Sequence, residues 1–167
     1  MRNALKALLV VALWAVGCAS FDGRGLVPGQ STEKDVEALM GVPAFQVKGT
    51  NGDTVLYFSR QPTGRKNYAA YIRPDGVLRG VDQLLTEQNI ALIVRDVSTR
   101  EQVRQIVGPP WRTSRFERMG REVWEYNMVN VTQWDYFLYV QFSDDGIARE
   151  IMMVKDYTKE TGGASFK

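Results

Sequence analysis

Residues able to do chemistry are few in this chain. Of its 167 residues none is histidine and one is cysteine. That leaves no Cys/His zinc set, no Ser-His or Cys-His couple and no imidazole proton relay. The adjacent carboxylates Asp144-Asp145 precede Gly146 at a turn, where Asp is favoured for backbone reasons and not for acid/base work. No Gly-rich phosphate loop, GxSxG or HExxH occurs. The sequence reads as non-catalytic, with no metal and no cofactor. A formal net charge of +2 is too small for the electrostatic footprint of a nucleic-acid binder. Arg65-Lys66 and Arg112, Arg115, Arg118 and Arg121 read either as solvated loops or as contacts to anionic lipid head groups.

The lone thiol, Cys18, stands at the end of an apolar run, 7–16, that follows a basic start carrying Arg2 and Lys6. A basic n-region, a short h-region and small residues beyond it describe a secretory signal peptide over 1–17. As a helix the run spans only about 15 Å, half a hydrocarbon core, so it is too short to stay as a membrane span. Ala15-Val16-Gly17-Cys18 resembles the lipobox of bacterial lipoproteins. The resemblance implies a lipidated Cys18, a tether over 18–28 and a periplasm-facing domain. Ala19, standing where Asp would signal inner-membrane retention, points to the outer membrane. Without Arg2 and Lys6, 19 basic residues face 19 acidic ones, so the +2 belongs to the leader.

These residues are set into a duplicated pattern. Ser31-Thr32, Val36, Leu39, Gly41 and Pro43 recur 67 residues later as Ser98-Thr99, Val103, Ile106, Gly108 and Pro110. Val55-Leu56-x-Phe58 returns as Val123-Trp124-x-Tyr126, and Asp75-Gly76-Val77-x-Arg79 as Asp145-Gly146-Ile147-x-Arg149. Each unit opens on a helix capped by Thr32 or Thr99, with Asp35 or Gln102 at capping-box spacing, and ends it at Gly41 or Gly108 before a proline. The period then changes from 3.6 to 2, giving strands over 45–48, 54–60, 67–73 and 77–82, and again over 112–118, 122–128, 134–142 and 147–155. A further short helix is expected over 86–94. The fold class is therefore α+β: two tandem repeats, 29–83 and 84–156, each with short helices packed on a four-stranded antiparallel meander, followed by a frayed tail over 157–167.

The spacing Gly29-x-Ser31-Thr32-x-x-x-Val36-x-x-Leu39-x-Gly41-x-Pro43, followed by an aromatic strand and a strand ending in Asp-Gly, resembles the SmpA/OmlA (BamE-like) outer-membrane lipoprotein family. Two units in tandem look like the β-lactamase inhibitor protein-like fold. The resemblance implies an adaptor in outer-membrane β-barrel assembly or envelope maintenance. The other reading is a periplasmic binding or inhibitory module that captures an envelope enzyme.

A helical layer covers one face of each sheet. Leu56, Phe58, Tyr68, Ala70 and Ile72 are expected to point inward, as are Trp124, Tyr126, Met128, Trp134, Tyr136, Leu138, Val140 and Phe142. The opposite faces then carry Tyr57, Tyr71, Phe137 and Tyr139. Those rings are the candidate partner-binding residues, if both sheets contribute to one exposed surface. The competing reading makes them cross-strand stabilisers, or the place where the two units pack.

Overall fold

The computed structural model describes residues 21–157. The expected signal peptide, Cys18 and the end of the tail lie outside the described residues. Two units follow one another. The first holds α1 (Glu33–Met40) and strands β1 (Phe45–Lys48), β2 (Thr54–Ser59), β3 (Asn67–Ile72) and β4 (Leu78–Gln83). The second holds α2 (Glu87–Ile90), α3 (Arg100–Val107), β5 (Arg112–Phe116), β6 (Arg121–Val129), β7 (Asp135–Phe142) and β8 (Ala148–Lys155). Each unit forms its own antiparallel meander, β1-β2-β3-β4 and β5-β6-β7-β8.

Local chemistry fixes the helix ends in both copies. Thr32 and Thr99 each accept from the amide three residues on, and the Asp35 and Gln102 side chains reach back to the cap amides. Gly41 and Gly108 close the helices at φ 87° and 83°, a region that side chains with a Cβ rarely enter. The capping threonines also pair with the final hairpins, Thr32 with Val77 and Thr99 with Ile147. The correspondence continues upstream: Val27 N–H donates to Ser31 Oγ as Val94 N–H donates to Ser98 Oγ, both at 2.9 Å. The stretch 21–30, expected as tether and degenerate element, consists of turns that keep this part of the repeat.

In the first unit Val36 and Met40 of α1 pack on the inner sheet face, Leu56, Phe58, Tyr68, Ala70, Ile72 and Leu78. In the second, Val103 and Val107 of α3 pack with Leu85, Ile90 and Ile93 on Trp124, Tyr126, Met128, Leu138, Val140 and Phe142. Each Val, Leu, Ile, Phe or Met among them contributes about 1.5–3 kcal/mol on leaving water.

Three expectations are corrected. The helix foreseen over 86–94 is the four-residue α2, because the chain turns after Ile90 to bring Ile93 into the core. β5 stops at Phe116, where a 3-10 turn over Glu117–Met119 ends at left-handed Gly120. Trp134 is not an inward residue: it precedes β7 and lies exposed beneath the Lys155 ammonium, 3.5 Å from the ring centroid.

The units are not separate lobes. α3 sits on the inner face of the second sheet, and its carboxyl end also lies on the outer face of the first. The Asn67 amide, from β3, donates to Val107 O at 2.8 Å and to Pro109 O at 3.0 Å. The Arg104 guanidinium lies 5.3 Å from the Phe45 ring of the first sheet and 5.7 Å from the Trp124 ring of the second. Beside them the Gln61 amide exchanges hydrogen bonds with the Asn127 backbone at 2.6 and 2.8 Å, and Arg65 pairs with Asp135. Among the described residues the order of layers is α1, first sheet, α3, second sheet, and the outer face of the second sheet ends the stack.

Candidate functional site

The four candidate rings part company in this arrangement. Tyr57 is on the outer face as expected, but it is 5% exposed and clusters with Ala69 and Leu84. It stacks on Phe45 at 4.2 Å between centroids, and burial together with the nearby Glu101 carboxylate raises its pKa. The expectation of one exposed surface running across both sheets fails at this residue, because the end of α3 occupies its first half. Tyr71, at the margin of the same face, is half-buried. Burial, then the Asp82 carboxylate and its hydrogen bond, push the Tyr71 hydroxyl up to about 12. The Arg79 guanidinium lies 5.1 Å from that ring.

Tyr139 belongs to the end that no described element covers, and Phe137 stands beside it next to the 62–65 loop of the first unit. Strand alternation puts Val123, Glu125 and Asn127 of β6, Phe137, Tyr139 and Gln141 of β7, and Met152 and Val154 of β8 on one face. Arg112, Ser114 and Phe116 of β5 complete it. Phe137 and Tyr139 stand 6.1 Å apart, centroid to centroid. Phe116 and Val154, 51% and 46% exposed, are apolar side chains that no described element covers. All of these face residues but Asn127 and Phe137 line a shallow groove of about 320 Å³ running from Arg112 to Val154, whereas Asn127 and Phe137 line a neighbouring pocket with Pro62, Thr63 and Arg65 of the first unit.

The charge in the groove is a pair. Arg112 Nη2 lies 2.5 Å from Glu125 Oε2, with the carboxylate nearly buried and the guanidinium more than half exposed. Arg112 also lies over Trp111, 4.9 Å from its ring centroid. Desolvation, and then Glu125, raise the Tyr139 hydroxyl's pKa while Arg112 opposes them, so the phenol stays a neutral hydrogen-bond donor at physiological pH. The groove contains no nucleophile beside a base. It can bind an apolar surface that brings charges to its rim.

The other sequence candidates have structural work. Arg115 bonds Glu117 and Asp144, and Asp145 is held by Arg149 and by Ser143, whose hydrogen bond, with that of the Ile147 amide, lowers its carboxyl pKa. Arg65 is taken by Asp135. Among the described residues no cluster of three or more His, Cys, Asp or Glu is placed to hold a metal ion, and no helix is long and apolar enough to cross a membrane. Alternation could have added Phe116, Met152 and Val154 to the candidates, since their partners Arg121, Tyr139 and Phe137 share the face.

Comparison with known proteins corrects the family expectation. No protein-family model matches the chain, and no curated protein does. Among solved structures it is similar to a DUF4309 family protein, YjgB, from Bacillus subtilis, at 20% identity over 80% of this chain and 84% of that one, with a TM-score of 0.31. The SmpA/OmlA resemblance rested on capping, terminating and core positions, which any helix-on-sheet unit of this geometry needs, and it is withdrawn.

Proposed function

We propose that the protein is a non-catalytic binding module of the cell envelope, held to the outer membrane through Cys18 and facing the periplasm, which takes a protein partner on the outer face of its second sheet. The observation that carries this reading is the groove: Phe116, Tyr139, Met152 and Val154 form an apolar strip on the outer face of the second sheet, flanked by the Arg112–Glu125 pair. An apolar centre with charge at its edge is the composition of a recognition surface. The corresponding face of the first sheet already receives a protein element, α3, and this supports a protein partner for the second.

In this reading the tandem units are of the β-lactamase inhibitor protein-like kind, working as a capture device and not as a catalyst. A role in β-barrel assembly in particular had only the SmpA/OmlA resemblance behind it. The apolar run before Cys18 supports the anchor.

The test pairs capture with stability. Val154→Asp and Tyr139→Ala are expected to abolish co-purification of the partner from gently solubilised envelopes and to leave the melting temperature nearly unchanged. A fall in melting temperature without loss of capture makes those side chains structural. Cys18→Ser is expected to move the protein from the membrane to the soluble fraction, and unchanged fractionation refutes the anchor.

A further inference from the structure

We propose that the occupant of this groove is α1 of a second copy of the chain, docked head to tail. The inference rests on the protein-binding reading of the face and names its partner.

Hydrogen-bond register fixes which positions of the two sheets correspond. Phe45 pairs with Tyr57 as Arg112 pairs with Glu125, and Ser59 pairs with Asn67 as Asn127 pairs with Phe137. The helices correspond through their identical caps, so Lys34, Glu37 and Gly41 of α1 stand where Glu101, Arg104 and Gly108 stand in α3. Within the chain Glu101 is near Tyr57, Arg104 lies over Phe45, and Gly108 abuts Asn67.

Transferring that interface to the free end replaces every partner. Arg104 over Phe45 becomes Glu37 over Arg112, and Glu101 near Tyr57 becomes Lys34 near Glu125. Both become opposite-charge contacts, across a groove whose own charges are Arg112 and Glu125. Gly108 against Asn67 becomes Gly41, with the Phe21 ring of its own chain beside it, against Phe137. Lys34 and Glu37 are exposed, and Val42, just past the helix end, is 92% exposed with no described residue over it. The free helix and the free sheet face are thus complementary in charge and continuous with an interface the chain already makes. Because the two patches differ, the contact is heterologous and adds copies in one direction until a ring closes or a filament grows.

Sedimentation velocity of the purified full-length chain in detergent tests this. The wild type is expected to associate with rising concentration in the range of about 1–100 μM. Glu37→Arg, on the exposed side of α1, is expected to weaken association at least about tenfold, as is Val154→Asp on the sheet face. Each variant keeps one intact patch, so mixing the two is expected to restore a pair that grows no further. A wild type that stays a single protomer, a Glu37→Arg protein that associates like the wild type, or a mixture that forms no pair overturns the proposal. If the wild type is a single protomer while envelope capture still depends on Val154, the face binds a foreign protein: self-docking falls and the binding reading stands. Loss of both leaves neither.

Discussion

Asn67 is the residue on which the joint between the two units turns. Its side chain is fully buried on the outer face of the first sheet. The amide nitrogen gives both hydrogens to carbonyls at the end of α3, Val107 O and Pro109 O, while Oδ1 meets no partner among the described residues. The side chain therefore acts as a donor only. Helix-terminal carbonyls have no partner within their own helix, so these bonds replace water that the joint excludes. Each bond contributes about 1 kcal/mol net, and a buried carbonyl left bare costs about 1–3 kcal/mol. Asn67→Ala is expected to cost about 3 kcal/mol, or roughly 6–12 °C in melting temperature for a chain of this size. Asn67→Asp separates the donor role from shape. It keeps the volume but turns an oxygen toward each carbonyl, and burial with those dipoles raises its folded pKa. A raised carboxyl pKa means that stability is lost as pH rises from the unfolded value, about 3.9, through the folded one. The destabilisation of Asn67→Asp relative to the wild type is therefore expected to be larger at about pH 7 than at about pH 4. Urea unfolding followed by tryptophan fluorescence measures both. An alanine variant within about 0.5 kcal/mol of the wild type refutes the donor argument. An Asp variant equally destabilised at both pH values does the same.

The repeat supplies matched controls for other predictions. Gly41→Ala and Gly108→Ala impose the same positive φ, yet a Cβ on Gly108 comes within 2.7 Å of Asn67 whereas one on Gly41 meets only the Phe21 ring at 3.9 Å. Urea midpoints are expected to show Gly108→Ala as the costlier by at least about 1 kcal/mol, and equal losses would remove the close approach from the account. At high pH the raised tyrosines act against the fold. The unfolded phenols ionise near pH 10 and Tyr71 only at about 12, so stability falls as pH rises between those values. Tyr71→Phe is expected to make that decline shallower, measured by unfolding midpoints across the interval. At low pH the sign reverses: the Thr32 hydrogen bonds lower the Asp35 carboxyl, so its contribution is present above the unfolded value of about 3.9 and is lost as pH falls through the folded one. Asp35→Asn is expected to flatten the acid limb of the same titration.

Much of the architecture is legible in the sequence because it depends on short-range rules. Thr-x-x-Asp and Thr-x-x-Gln spacing, the terminating glycines and strict alternation in 54–59 and 135–142 fix helix ends and strand faces within a few residues of each other in the chain. What escapes is whatever depends on how the two units meet. Tyr57 alternates outward correctly, yet nothing in its neighbourhood announces that α3, more than 40 residues later, covers it. Trp134 fits the alternation of β7 but falls one residue before the strand, so the pattern continues where the backbone does not. The family resemblance failed for a related reason. Caps, a Gly-x-Pro stop and an Asp-Gly hairpin are solutions to backbone chemistry, shared by unrelated chains. The groove residues Phe116, Met152 and Val154 lie on two strands at opposite edges of the sheet, β5 and β8, and only the register places them on one face.

The seat of α3 on the first sheet has a consequence for the order in which the chain comes into being. Synthesis delivers residues 29–83 before residues 100–111 exist, so the nascent first unit holds Phe45, Tyr57 and Ala69 bare until its successor emerges. During that interval it is an open adhesive surface. A polypeptide ending near residue 83 would keep that surface for good and aggregate, so any protease or stop codon that halves the chain yields a sticky fragment in place of a smaller working protein.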